Sequence, residues 1–332
     1  MAAATETKSS SLQQQQLLLI MLLLLLLLPC VVCSSLSIGF YALSCPTAEL
    51  IVREQVRSAT SADGTVPGKL LRLLFHDCFV EGCDASVLLE GEGTERNDPA
   101  NGSLGGFQVI DSVKRVLEML CPGIVSCADV LSLAARDVVA LTGGPDIEIP
   151  TGRRDGRNSS VANVRPNIID TSFTMDQMND LFSSKGLSLD DLVVLSGAHT
   201  IGSAHCNAFS DRIKTNSKGN LTFVDPSLDH NYAANLTKRC AAEASTSINN
   251  DPVTSSLFDN QYYKNLMLHK GLFQSDSVLF DDLRTKNLVV LLANDQSTFF
   301  EKWGDSFLKL TSVGVKTGDQ GEIRQSCSRN IG

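Results

Sequence analysis

The sequence lacks an excess of positive charge. Its 332 residues carry 28 lysines and arginines against 37 aspartates and glutamates, which gives a formal net charge of −9 at pH 7. A chain this acidic offers little electrostatic attraction to nucleic acid or to an anionic membrane surface. The composition therefore predicts neither a nucleic-acid partner nor a membrane partner.

Long hydrophobic runs are absent after the first 34 residues. One unbroken apolar stretch spans residues 17–28, and a proline and small residues follow it. A signal peptide has an apolar segment of this length, whereas a membrane-spanning helix needs about 20 apolar residues. A membrane anchor is the alternative. The sequence therefore predicts a signal peptide over residues 1–34 and an exported protein over residues 35–332.

Strand-like alternation is scarce, and the chain has no repeat of fixed period and no long linker. Apolar residues instead recur at helical spacing, for example over residues 107–120, 126–141 and 281–294. Clusters of glycine, proline, asparagine and aspartate separate the helical segments, as at residues 216–250. We therefore expect a mainly α fold with long loops, of which 216–250 is one.

Unpaired cysteines are not expected after residue 34. The chain has ten cysteines, and removal of Cys30 and Cys33 with the signal peptide leaves an even number. In an exported chain this points to disulfides, although the count alone leaves their pairing open. His205 and Cys206 could instead form a thiol–imidazole nucleophile, which the even count disfavours. Sequons that fit passage through the secretory pathway begin at Asn101, Asn158, Asn220 and Asn235.

Histidine clusters of the kind that bind zinc are also missing. No His-x-x-x-His pattern or equivalent set occurs, which excludes the common zinc hydrolase sites. The two informative histidines, His76 and His199, stand instead in separate apolar segments.

Arg72 precedes His76 by four residues in an otherwise apolar segment, and Phe75 lies beside the histidine. On a helix the guanidinium and the imidazole share one face. Burying both groups together is costly unless something occupies the space between them. A partly exposed cationic edge is the alternative interpretation.

Oxygen-bearing side chains follow His76 closely. Asp77, Asp84 and Ser86 lie within ten residues of it, and Gly82 allows a tight turn among them. Calcium binds such mixed sets of side-chain and carbonyl oxygens. The sequence therefore favours a calcium loop directly after the helix, which would hold the helix in place.

His199 lies at the end of a second apolar segment, residues 191–202. Gly197 and Ala198 precede it, and their small size would let a flat ligand approach closely. A lone histidine on an apolar face is usually an ordinary core residue. On the residues alone, a structural histidine and a cofactor ligand both remain open.

The segment Arg72-Leu-Leu-Phe-His-Asp-Cys78 strongly resembles the distal signature of the class III, secretory plant peroxidases, and residues 191–202 resemble their proximal motif. The resemblance extends from Phe40 to Cys327. It implies a mainly α, two-lobed haem peroxidase domain over residues 35–332, with haem b between a distal and a proximal half.

The same resemblance implies the reaction. The expected activity is oxidation of small phenolic donors by hydrogen peroxide, through a ferryl haem intermediate and one-electron steps. The implied protein is a monomer secreted to the cell wall or apoplast, with two calcium ions beside the haem. A non-enzymatic, secreted calcium-binding glycoprotein is the alternative, which the intact Arg72, His76 and His199 disfavour.

The roles of individual residues are implied by the resemblance. His76 would be the general base that takes the peroxide proton, and Arg72 would stabilise the departing oxygen. Phe75 would line the haem. His199 would be the axial iron ligand, and Asp276, in the pattern Gln-Ser-Asp, would accept its other N–H.

Two positions depart from the family pattern. The family has an asparagine that bonds the distal histidine, and counting forward from Glu95 gives Asn101, whereas counting back from Phe107 gives Ala100. We favour Asn101, although a glycan on its sequon would require a surface position. In the donor channel, where many members have Pro-x-Pro, Pro166 is the nearest equivalent.

The resemblance also implies ligand sets and cysteine pairs. The first calcium site would comprise Asp77, Val80, Gly82, Asp84 and Ser86, with Val80 and Gly82 acting through their carbonyls. The second would comprise Thr200, Asp251, Thr254, Leu257 (through its carbonyl) and Asp259. The disulfides would be Cys45–Cys121, Cys78–Cys83, Cys127–Cys327 and Cys206–Cys240.

Overall fold

The computed structural model describes residues 35–215, 221–223, 225–241 and 243–330. The predicted signal peptide lies outside the described residues, and so does the sequon at Asn220. Across the described ranges, no helix has both the length and the apolar character needed to span a membrane.

Helices dominate the fold, so the mainly α prediction is confirmed. In chain order they are α1 (Ala48–Ala62), α2 (Val66–Val80), α3 (Phe107–Leu120), α4 (Cys127–Leu141), α5 (Met175–Ser184), α6 (Leu189–Ser196), α7 (His230–Cys240), α8 (Gln261–Met267), α9 (Gln274–Asp281), α10 (Lys286–Asn294) and α11 (Gln296–Leu310). Short 3-10 turns join several of them, including Glu95–Asn97 and Gly197–Thr200.

Strands are short. They are β1 (Ser203–His205), β2 (Ile213–Thr215), β3 (Leu221–Phe223) and β4 (Ser247–Asn249). Strand β1 pairs antiparallel with β4, and β2 pairs antiparallel with β3. Because β1 follows the Gly197–Thr200 turn and β4 precedes residue 251, the β1–β4 pair brings two distant loops together.

Helix α7 contradicts the expectation that residues 216–250 are irregular. Its start is fixed by Asp229, whose carboxylate accepts the backbone N–H of Tyr232 at 2.8 Å. Ala233, Leu236 and Cys240 are buried at helical spacing. The segment is polar overall, and so narrow an apolar face is easily missed in the sequence.

The helix expected over residues 281–294 is confirmed only from Lys286 onward as α10, because the chain breaks at residues 282–285 between α9 and α10. Asp282 accepts the backbone N–H of Arg284 at 2.8 Å, which favours a turn. The hydroxyl of Thr285 donates to the Leu279 carbonyl at 2.7 Å and so satisfies one carbonyl at the end of α9.

The helices pack in two groups on one main apolar core. Helices α1 to α4 contact one another, and α6, α8, α10 and α11 form the second group. The core includes Leu70 and Leu133 from the first group and Phe299 from the second, all fully buried. A smaller cluster around Phe209 and Ile248 lies beneath the β1–β4 pair.

The two groups touch at a pair of glycines. A Cβ on Gly68, in the first turn of α2, would lie 2.6 Å from the Cα of Gly202. Gly202 has φ of +86°, a conformation that side chains rarely adopt. Helix α2 therefore starts in backbone contact with the segment that follows His199.

Within the described part of the chain, four disulfides hold the loops, and they are the pairs that the resemblance implies: Cys45–Cys121, Cys78–Cys83, Cys127–Cys327 and Cys206–Cys240. The Cys127–Cys327 bond spans 200 residues. By its effect on the entropy of the unfolded chain, a loop of this size stabilises the fold by about 5 kcal/mol.

A buried ion pair fastens the start of α4 to the loop after it. The Asp129 and Arg153 side chains are fully buried, with Oδ1 and Nη1 2.8 Å apart. The Tyr41 hydroxyl donates to the other oxygen of Asp129 at 2.7 Å, and Arg153 Nη2 donates to the Thr311 carbonyl at 2.7 Å. Because these bonds compensate for burial of the charges, the pair has a structural role.

Candidate active site

Helix α2 carries Arg72, Phe75 and His76. The helix begins at Val66, and Pro67 suits its first turn because the missing N–H needs no partner there. His76 is 5% exposed, and the Phe75 ring lies edge-on to it with 5.7 Å between centroids. A mostly apolar helix thus holds an imidazole and a guanidinium four residues apart.

Asn101 fixes which nitrogen of the His76 ring carries the proton. Its Nδ2 donates to the Glu95 carbonyl at 2.9 Å, so its Oδ1 faces His76 and lies 2.7 Å from Nδ1. Since an amide oxygen only accepts, Nδ1 carries the proton and Nε2 keeps its lone pair. Asn101 is 4% exposed, whereas Ala100 offers only its carbonyl, to Arg72.

The His76 imidazole is uncharged near neutral pH. Burial, together with the charge of Arg72, lowers the pKa of His76 to about 3, although the hydrogen bond with Asn101 opposes this shift. A neutral imidazole with its Nε2 lone pair available can act as a base.

The loop that carries Asn101 also holds Arg72. Nη1 of Arg72 donates to the Ser103 hydroxyl at 2.9 Å, and Nη2 donates to the Ala100 carbonyl at 3.0 Å. The Arg72 side chain is accessible to solvent, yet desolvation by the surrounding protein lowers its pKa. Residues 98–103 therefore orient both polar groups, the Arg72 guanidinium and the His76 imidazole.

His199 lies on the turn that follows α6. This helix begins with a capping box, in which Ser188 Oγ accepts the Asp191 N–H and the Asp191 carboxylate accepts the Ser188 N–H. Nδ1 of His199 is 2.8 Å from Oδ1 of Asp276, so Nδ1 carries the proton and Nε2 keeps its lone pair. The His199 side chain is 38% exposed.

Asp276 collects three hydrogen bonds at the start of α9. Oδ1 accepts from His199 and also from the Tyr262 hydroxyl at 2.8 Å, and Oδ2 accepts the Phe273 N–H at 2.9 Å. Burial acts to raise the pKa of Asp276, but electrostatic attraction to the His199 ring N–H and these hydrogen bonds outweigh it and hold the pKa below its usual value. The group is therefore a buried carboxylate.

Gly197 does not provide clearance for a ligand in the way the sequence suggested. A Cβ at this position would lie 2.5 Å from the Tyr263 hydroxyl and 2.8 Å from the Phe299 ring. Glycine is needed here because α8 and α11 pack directly against the turn that carries His199.

Known proteins match most of this chain. The family model described as Peroxidase matches residues 52–295. The chain belongs to the peroxidase family. It is 64% identical to Peroxidase 18 of Arabidopsis thaliana over 298 residues, which cover 89% of this chain and 91% of that protein. Peroxidase 46 of the same plant is 62% identical over 297 residues, with 89% and 91% covered.

This peroxidase has the residues that a haem iron requires. The chain is an oxidoreductase that uses haem, hydrogen peroxide and an electron donor, as the family implies. An imidazole nitrogen is a common axial ligand, and Nε2 of His199 keeps its lone pair. The ring stays partly accessible while Phe273 and Tyr262 hold it edge-on, with centroids 5.3 and 5.9 Å away. The donor set and its accessibility fit the cofactor.

The acidic side chains expected at the first calcium site of the peroxidase are buried at the end of α2, which carries Asp77, and in the loop after it, which carries Asp84. Asp77 accepts the backbone N–H groups of Ala85 and Val87 at 2.8 and 3.3 Å. Burial raises the pKa of Asp77 well above its usual value, and the charges of Asp84 and Glu95 add to this shift. A cation bound beside Asp77 would relieve this repulsion between neighbouring carboxylates.

The other residues expected at the first calcium site lie close to Asp77, and hydrogen bonds join several of them. The Gly82 carbonyl accepts the Asp84 N–H at 2.7 Å, and Asp84 Oδ1 accepts the Ser86 N–H at 3.0 Å. Lys316 contacts the second Asp84 oxygen, and Val80 is buried at the end of α2. The described residues contain no group of three or more His, Cys, Asp or Glu side chains placed to hold a metal ion. Each expected calcium set has only two aspartates, and its other ligands are hydroxyl or carbonyl oxygens.

The second expected set also comes together. The Thr200 hydroxyl lies 3.0 Å from Asp259 Oδ1 and 3.4 Å from the Leu257 carbonyl. The Thr254 hydroxyl lies 3.1 Å from the same Asp259 oxygen and 3.2 Å from Asp251 Oδ2. Five oxygen-bearing residues thus meet beside the His199 turn, where the β1–β4 pair brings the two loops together.

Pro166 is exposed, and the residue before it links its loop to residues 98–103. Arg165 Nε lies 2.9 Å from Asp98 Oδ1, and that oxygen accepts the Ala100 N–H at 2.7 Å. The sequence did not single out Arg165 or Asp98, or the Ser103 and Tyr262 contacts described above. Ser103 follows the Asn101 position by two residues, which is the only signal that could have indicated it.

Proposed function

We propose that this peroxidase uses hydrogen peroxide to oxidise small phenolic donors in successive one-electron steps. The observation that carries the proposal is the pairing of His76, neutral and oriented by Asn101, with Arg72 on one helix. When bound, haem b would supply the redox chemistry at its iron. The protein would supply proton transfer, charge stabilisation and a ligand to the iron.

His76 would carry the peroxide proton. Nε2 would accept the proton from one peroxide oxygen and return it to the other as the O–O bond breaks, so the ring ends uncharged. Positioned proton transfer of this kind contributes typically about 10²–10⁴-fold to a rate. Arg72 would meet the negative charge on the departing oxygen, and because Ser103 and Ala100 already hold its guanidinium, little reorganisation is needed.

His199 would hold the iron through Nε2. By accepting the Nδ1 proton, Asp276 would give the imidazole anionic character, which favours the oxidised states of the metal. Phe75, which is half-buried beside His76, would line the haem, and Pro166 would border the donor channel.

We also propose two calcium ions, one at each oxygen-rich loop. Asp77, Val80, Gly82, Asp84 and Ser86 would bind the first, and Thr200, Asp251, Thr254, Leu257 and Asp259 the second. The crowding of Asp77 with Asp84 and Glu95 supports the first site, and the convergence of hydroxyls on Asp259 supports the second. Each ion would fix the backbone next to a functional histidine.

The proposed mature protein is a secreted monomer comprising residues 35–332, in the cell wall or apoplast. The four disulfides support export, because such bonds persist in oxidising compartments. Exposed sequon asparagines at 158 and 235 also fit that route.

Stopped-flow measurement of the reaction with peroxide tests the function. Haem-loaded His76→Ala should keep its haem absorption, and its bimolecular rate constant with peroxide should be lower by about 10²–10⁴-fold. His230, exposed on α7, offers the control, and His230→Ala should react like the parent protein. An unchanged rate in His76→Ala would exclude this histidine as the base.

A further inference from the structure

The Tyr262 hydroxyl shares one oxygen with the axial histidine. It donates to Oδ1 of Asp276 at 2.8 Å, and Nδ1 of His199 lies 2.8 Å from the same atom. Tyr262 is 3% exposed, and its ring also lies edge-on to the His199 ring. Two donors, one of them fully within the core, therefore compete for the negative charge of one carboxylate oxygen.

We propose that Tyr262 is a positioning residue that limits how strongly Asp276 attracts the Nδ1 proton of His199. The inference rests on the proposed role of His199 as the iron ligand. It concerns the tuning of that ligand, and Tyr262 itself touches neither peroxide nor donor.

The physical argument concerns charge on the carboxylate. A hydrogen bond to an ionised group is stronger than one between neutral groups, and each donor draws negative charge toward itself. With the Tyr262 bond present, less charge is available to His199. Without it, Asp276 would pull harder on the Nδ1 proton, and the imidazole would gain anionic character. A more anionic ligand stabilises ferric over ferrous iron, so the reduction potential falls.

The next residue provides a matched control. Tyr263 is on the same helix and fully buried, but its hydroxyl donates to the carbonyls of Val193 and Val194 at 3.1 and 3.0 Å. Removing that hydroxyl disturbs the packing of α8 on α6 and leaves the hydrogen bonds of Asp276 intact. A purely structural effect of losing a buried phenol would therefore appear in both variants.

The experiment is spectroelectrochemical titration of the ferric–ferrous couple in the haem-loaded protein. In Tyr262→Phe the equilibrium constant for reduction should fall about tenfold, which is ~59 mV for one electron. The potential of Tyr263→Phe should equal that of the parent protein. In ferrous protein the iron–histidine stretching frequency should rise in Tyr262→Phe alone, because an anionic imidazole binds iron more strongly.

Two further variants make the result decisive. In an Asp276→Ala background, Tyr262→Phe should produce no additional shift, since the shared carboxylate is gone. Placing 3-fluorotyrosine at position 262 keeps the ring and makes the phenol a stronger donor, so it should raise the potential even if Tyr262→Phe does not fold.

The proposal is overturned by an unchanged or raised potential in Tyr262→Phe, by an equal shift in Tyr263→Phe, or by a shift that persists without Asp276. Failure of the proposed function has a different signature. If His199 did not bind the iron, His199→Ala would retain the parent's ferric spectrum and haem content, whatever the Tyr262 variants show.

Discussion

Removing the Asn101 amide should slow the reaction with peroxide through the protonation state of His76. Asn101→Ala deletes the 2.7 Å contact to Nδ1 and the 2.9 Å bond to the Glu95 carbonyl. The buried Nδ1–H of His76 then lacks an acceptor, which costs about 1–3 kcal/mol. Moving the proton to Nε2 relieves that cost but blocks the nitrogen that must accept the peroxide proton.

The magnitude follows from that tautomer shift. If the favoured tautomer loses about 1–3 kcal/mol, the rate constant falls roughly 5- to 150-fold, because each 1.36 kcal/mol corresponds to a factor of ten. Asn101→Asp keeps an acceptor at the same place, so it should retain more of the rate than Asn101→Ala and raise the pKa of His76.

Stopped-flow formation of the first oxidised state, with haem content matched among variants, is the assay. Asn158 is the control because it is an exposed asparagine in another sequon, and Asn158→Ala should react at the parent rate. Peptide mapping by mass spectrometry of the secreted protein gives an independent check. A glycan on Asn101, which is 4% exposed, or an unaltered rate in Asn101→Ala, would refute the reasoning.

Four other outcomes are expected. The rate constant with peroxide should stay level from neutral pH downward and fall only toward pH 3, because the lowered pKa of about 3 keeps His76 in its basic form above that pH. A stopped-flow pH series with a midpoint near 6.5 would contradict this prediction. Chelation should lower the melting temperature, and calcium should restore it, because each ion at 100 times its Kd stabilises the fold by about 2.7 kcal/mol; metal-free protein with unchanged melting would rule out both sites. Gly68→Ala should cost about 1–3 kcal/mol in denaturant unfolding, since its Cβ would meet Gly202, and Gly64→Ala, with nothing within 4 Å, is the control. Ser103→Ala should slow the peroxide reaction less than Arg72→Ala does, and Ser103→Thr, which keeps the hydroxyl, should react at the parent rate. Equal losses of rate in the two alanine variants would show that Ser103 does more than hold the Arg72 guanidinium.

Helical spacing predicts most of the fold, and the failures have local causes. The segments at 107–120 and 126–141 form helices because their apolar residues recur on one face and are buried. Helix α7 escapes prediction because only a narrow face of a polar segment is buried. The break between α9 and α10 depends on the side chains of Asp282 and Thr285, which periodicity does not weigh.

Sequence spacing likewise predicts some residues of the site and misses others. Arg72 and His76 are four residues apart on one helix, so their shared face is visible in the sequence. The sequence leaves the residue that bonds His76 ambiguous by one position, Asn101 or Ala100, because the length of a loop and not a helical period determines which residue reaches the histidine. The contact of Tyr262 with Asp276 joins two helices, and only tertiary packing determines which of two adjacent tyrosines reaches the carboxylate.

The Cys127–Cys327 bond sets the order in which the protein can mature during synthesis. Translation at about 5–20 residues per second leaves roughly 10–40 s between the appearance of the two cysteines, which are 200 residues apart. In the exported protein proposed above, the Cys127 thiol waits through that interval for its partner, whereas Cys45, Cys78, Cys83 and Cys121 can already pair with one another. The Cys127–Cys327 bond therefore closes only after nearly the whole chain has been made.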